Sequence, residues 1–207
     1  MIKSKKLRST VLLWLTLLIA LWPKGAVCQQ SNNDEPAFNS VNYIGALWKD
    51  YQPAGGRYSV SLPGLPRGQV LTVDTVLGKM PLHMFMLVVM SKDDFVVCSV
   101  NYNDFPAVVT DPNFARKIID SARDQLISAK PTRKLLSETD LKLDANIGRE
   151  IRMEEGTLLL VARLFVVKDR MFQVLVAFEK GPKPEEVVRF QDDVRQRVFS
   201  SFRLLSE

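Results

Sequence analysis

Histidine and cysteine are nearly missing from this sequence. Its 207 residues hold one histidine, His83, and two cysteines, Cys28 and Cys98. Zinc sites draw on clustered Cys and His, so that class of centre finds no ligands here. A Ser–His–acid relay would have to use His83, and no Gly-x-Ser-x-Gly turn is present to carry its serine. Gly-x-x-x-x-Gly-Lys-Ser/Thr and Gly-x-Gly-x-x-Gly are absent too, which removes two common phosphate-cradling loops. His83 stands between Leu82 and Met84 in a strand-like run and reads as an ordinary strand residue rather than an acid–base group. Internal repeats are absent. Long apolar runs are scarce: Val11 to Trp22 is too short to span a bilayer comfortably as a helix.

That run belongs to an export signal over residues 1–28. Lys3, Lys5, Lys6 and Arg8 precede it, Pro23 breaks it, and Ala26-Val27-Cys28 offers a cleavage site. Cleavage is expected after Cys28, giving a secreted or periplasmic protein that begins at Gln29. A lipoprotein acylated on Cys28 ranks second, because Val27 is larger than the small residue expected there. An uncleaved membrane anchor ranks third. The whole chain carries a formal charge of +5, from 28 basic and 23 acidic residues. Five of the bases (Lys3, Lys5, Lys6, Arg8 and Lys24) leave with the signal, so the mature charge is zero. No global positive field remains to attract nucleic acid, and membrane contact is expected only through the signal before cleavage. Roughly 180 residues remain, enough for one domain. Residues 29–40 read as a flexible polar linker and 41–207 as the domain.

The domain is organised around Thr157 to Phe178, two apolar runs flanking Lys168-Asp169-Arg170. This predicts a long hairpin. Strand alternation puts Leu158, Leu160, Ala162, Leu164 and Val166 on one face, with Gln173, Leu175 and Ala177. Leu159, Val161, Phe165 and Val167 take the other, with Phe172, Val174, Val176 and Phe178. Both faces are apolar, so both need covering. Further strands are predicted at 57–62, 69–77, 82–90, 95–102, 135–143 and 147–153. Asp111-Pro112 opens a helix as N-cap and first residue, with Phe114, Ile118, Ala122 and Leu126 as its apolar stripe. A second helix follows Pro184, with Val187, Phe190, Val194 and Val198 inward and Glu186 outward. The fold class is α+β: a mainly antiparallel sheet with a helix on either face.

The chemistry-bearing residues read mostly as structure. Cys98, in the apolar run Phe95–Tyr102, is expected to be buried and inert, without an activating neighbour. The row Met84, Met86, Val88 and Met90 reads as core packing rather than a soft-metal site. Asp93, Asp94, Asp104 and Asp111 lack calcium-loop spacing and read as solvated turn acids. No cofactor is expected. Arg163 breaks the apolar face of the hairpin. A guanidinium there needs either an internal carboxylate or a cleft with water or an anion. The internal partner is favoured, which makes Arg163 structural.

Trp48-x-x-Tyr51, Gly56-Arg-Tyr-Ser-Val-Ser-Leu-Pro-Gly64, the Leu82–Tyr102 hairpin, Gly148-Arg-Glu150, Arg163–Val167 with Asp169-Arg170, and Ser201-Phe202 occur in this order. In this the chain resembles the PsbP-like family, which includes DcrB-like and LpqN-like proteins. The resemblance implies an α-β-α sandwich and a binding or assembly role, and it carries over no catalytic residue. The expected function is therefore an exported, non-enzymatic module with an unknown protein or small-ligand partner. The alternative is a carrier holding a small apolar or amphipathic ligand between sheet and helix, with Arg163 or Gln173 fixing its polar end. A hydrolase using Glu138, Glu150 or Glu154 comes last.

Overall fold

The computed structural model describes residues 39–75, 77–92 and 94–205. The expectations for the export signal, for linker residues 29–38 and for Asp93 lie outside the described residues. Within them the elements run β1 (Asn39–Asn42), β2 (Lys49–Tyr51), β3 (Tyr58–Leu62), β4 (Arg67–Thr75), β5 (Gly78–Met90) and β6 (Phe95–Asp104). Helix α1 (Pro112–Ser128) follows, then β7 (Arg133–Leu143), β8 (Asn146–Glu155), β9 (Leu158–Val167) and β10 (Arg170–Glu179). Helix α2 (Glu185–Ser201) and β11 (Arg203–Leu204) complete the set. The main sheet has the order β1-β5-β6-β10-β9-β8-β7, with β4 also on β5. Only β1 runs parallel to its neighbour. β4 covers the edge of β5 from Gly78 to Met86, and β1 covers it from Leu87 to Met90.

β9 and β10 pair as their alternation demands, with Lys168 at φ 53 in the turn between them. Their two faces enter two apolar clusters. Leu160, Ala162 and Leu164 pack in one with Ile118, Ile119 and Ala122 of α1. Val161, Phe165, Val174 and Val176 pack in the other with Phe190, Val194 and Val198 of α2. Asp111 caps α1 as expected, its carboxylate accepting from the Asn113 amide at 2.9 Å.

Three expectations need correction. Asn39 and Ser40, read as the end of the linker, are strand, because β5 leaves four residues of edge for β1 to cover. The main sheet is not the whole of the β-structure: β11, β3 and β2 form a second, three-stranded sheet. Tyr58, Val60 and Leu62 of β3 bury their side chains in the α2 cluster. Finally, the buried stripe of α1 is Ala115, Ile118, Ile119 and Ala122, while Phe114 lies 38% exposed.

Candidate functional site

Arg163 sits mid-strand on β9, opposite Glu150 of β8 and Val174 of β10. Its Nε donates to Glu150 Oε2 at 2.9 Å, and Arg152 Nε donates to the other oxygen at 3.2 Å. Burial alone would raise the Glu150 carboxyl, but the two guanidiniums outweigh it and hold the group below the ordinary glutamate range. The Arg163 guanidinium also lies over the Phe199 ring of α2, 4.4 Å from its centre. A cleft of about 160 Å³ opens at this point, bordered by Arg163, Phe165, Phe199 and Phe202, with Lys142 at its rim. The internal carboxylate expected from sequence is present, and so is the cleft.

Gln173 belongs to the other face of the hairpin. It pairs across the strands with Leu164 and Asn101, beside a buried hydrogen bond from Ser99 Oγ to Asn101 Oδ1 at 2.6 Å. Arg163 and Gln173 therefore cannot hold one ligand between them. The carboxylates considered for hydrolysis are each ion-paired. Glu138 meets Arg123 at 3.2 Å and Arg149 at 3.3 Å, Glu154 meets Lys180 at 2.5 Å, and Glu150 is held as described.

The acids read as solvated turn residues are not uniformly so. Asp94 is 2% exposed, and its Oδ2 accepts from Gln191 Nε2 at 2.6 Å and Lys183 Nζ at 3.1 Å, tying the β5–β6 turn to α2. Asp104 accepts both Nε and Nη2 of the buried Arg170, at 2.5 and 2.8 Å, and Nη2 of Arg57 at 3.2 Å. Arg170 Nη1 reaches the carbonyls of Gly55 and Gly56. This network fastens the β2–β3 loop to the main sheet. Strand periodicity does not mark this network, although Asp169-Arg170 is among the residues that carry the resemblance. The available signal was a charged residue at the end of each of two long apolar strands, β6 and β10, which pair so that Arg170 faces Asp104.

The methionine row lies in the α1 cluster, with Met84 at 0% and Met86 at 2% exposure. Cys98 is 1% exposed, and burial pushes its thiol up to about 12. Thiol labelling of the native protein at pH 8 is therefore expected to be at least a hundredfold slower than in denaturant, by roughly the thiolate fraction lost. Equal rates would place Cys98 at the surface.

An apolar groove of about 520 Å³ lies beside β1 and β2, bordered by Val41, Tyr51 and Leu62. Ile44, Leu47 and Leu65 stand around it, each 74% exposed. Asn39 Nδ2 donates to the Leu65 carbonyl at 3.0 Å, which joins the two walls. Three large aliphatics gathered in open water are a feature that strand and helix periodicity does not mark, because they stand in loops.

No family model matches this sequence, and no curated protein matches it. A solved structure that resembles it is the solution structure of cyanobacterial PsbP (CyanoP) from Synechocystis sp. PCC 6803. The likeness covers 86% of this chain and 98% of that one, at 13% identity and a TM-score of 0.42.

Proposed function

We propose that this chain is an exported, non-enzymatic binding or assembly module, an α-β-α sandwich of the PsbP-like kind. Its partner surface is the groove beside β1, and its partner is an apolar segment of another protein. The observation that carries this reading is the exposure of Ile44, Leu47 and Leu65 around one groove. Docking would take that aliphatic surface out of water. β1 and β2 each end their sheet and both border the groove, so backbone groups are on offer to an extended chain as well. The export signal read from residues 1–28 sets the compartment. A second reading, carriage of a small amphipathic ligand between sheet and helix, draws on the cleft beside Arg163.

The test is site-specific photo-crosslinking from position 47 in the exporting cell, in the wild-type background and in Leu65→Glu. Leu65 is exposed, so the variant is expected to keep its melting temperature, while capture of the partner falls roughly tenfold or more. Equal capture by both would remove the groove from the function.

A further inference from the structure

We propose that the cleft beside Arg163 is a binding site for a small carboxylic acid with a compact apolar body. This site is separate from the groove beside β1 and stands on different observations. Arg163 spends only Nε on Glu150. Its two terminal amino groups make no hydrogen bond among the described residues, and 32% of the side chain is open to solvent. A guanidinium carries five N–H donors in a fixed fork, so two parallel donors remain for an incoming carboxylate, the bidentate pairing that suits arginine best. Glu150 on one side and the Phe199 ring beneath hold the fork in place before any ligand arrives. Lys142 borders the same cleft, is exposed, and makes no ion pair among the described residues. It adds a second positive charge at the mouth.

The other wall of the cleft is apolar. The rings of Phe165 and Phe202 lie nearly parallel, 9° apart in plane and 6.0 Å between centres. Gly148 on β8 makes room for Phe165, because a β-carbon at that position would come within 2.4 Å of the ring. Phe165, Phe199 and Phe202 are 3%, 8% and 6% exposed, so they wall the cleft with only a small part of each ring open to it. An inorganic anion would meet the fork and make no use of this wall. A neutral aromatic would lie against the wall and leave the fork unused. A carboxylate on a small apolar body meets both. The volume of about 160 Å³ corresponds to roughly five water molecules, which suits a single ring or a short chain.

Benzoate is the probe, with benzyl alcohol and inorganic phosphate as controls, each titrated into the full chain while amide chemical shifts are followed. Benzoate is expected to shift residues around Arg163, Phe199 and Phe202 saturably, and each control to bind at least tenfold more weakly. Arg163→Met is expected to lose benzoate at least tenfold. Arg163→Lys keeps the charge and loses the fork, so a loss of fivefold or more is expected there even if the methionine variant fails to fold. Binding of either control as tight as that of benzoate overturns the proposal, as does unchanged benzoate affinity in Arg163→Lys.

Discussion

Val194→Asp is expected to lower stability by about 4 kcal/mol or more, enough to unfold many domains of this size. Val194 is fully buried at the middle of α2, in one cluster with Phe190, Val198, Val161 and Phe165. The change removes about 1.5–3 kcal/mol of apolar burial and places a carboxylate where a partnerless charge is strongly disfavoured. Glu186→Ala on the exposed side of the same helix is expected to stay within about 0.5 kcal/mol of wild type. Thermal melts of the two variants decide the matter. Similar midpoints would mean that α2 presents a different side to the sheet.

Glu155→Gln is expected to cost about 3–5 kcal/mol, although the substitution barely changes side-chain size. Arg133 at the start of β7 and Glu155 at the end of β8 have side chains 0% and 5% exposed. Arg133 Nε and Nη2 donate to Glu155 Oε2 at 3.0 and 2.5 Å, while Nη1 donates to the Leu126 carbonyl in the last turns of α1 at 2.5 Å. The guanidinium thus balances one buried carboxylate and satisfies a helix carbonyl at the negative end of the α1 dipole. Neutralising Glu155 leaves the arginine charged and enclosed. The double variant Arg133→Met/Glu155→Leu removes both charges and is expected to recover most of the loss, as replaced buried pairs commonly do. Denaturant midpoints give the comparison. A double variant no more stable than Glu155→Gln would show that the stranded charge is not the source of the cost.

The long elements were legible in the sequence because their side chains repeat. β9 and β10 alternate over ten residues each, and every apolar face assignment on them agrees with the two clusters. The stripe on α1 was half right for a geometric reason. Steps of four residues advance roughly 40° around a helix each time, so a row from Phe114 to Leu126 winds through roughly 120°. The side facing the sheet instead uses the i, i+3, i+4, i+7 spacing of Ala115, Ile118, Ile119 and Ala122. β1, β2 and β11 span two to four residues each and are too short to show any period. Arg163 was found because it interrupts a pattern, and the need for an internal carboxylate followed from its charge. The identity of that carboxylate did not follow, since Glu150 is thirteen positions away and only the β8–β9 register joins them. The Arg133–Glu155 pair gave no sign at all, because each residue taken singly looks like an ordinary charged end of a strand.

The strand order divides the main sheet into two locally wound halves. β4, β5 and β6 pair in succession, and so do β7, β8, β9 and β10; among the described residues the β6–β10 seam is the one strand pairing that joins them. At the end of that seam Asp104 meets Arg170, 66 residues later in the chain. A ribosome adding 5–20 residues per second takes roughly 3–13 seconds to cover that distance. Throughout that interval the β6 side of the seam, through Val96, Val97, Cys98 and Val100, emerges with no strand to close it. A bare apolar edge of this kind templates pairing with other chains. Newly made chains are thus most prone to aggregate after β6 has emerged and before β10 has, and a chaperone that shields extended segments would be needed most in those seconds.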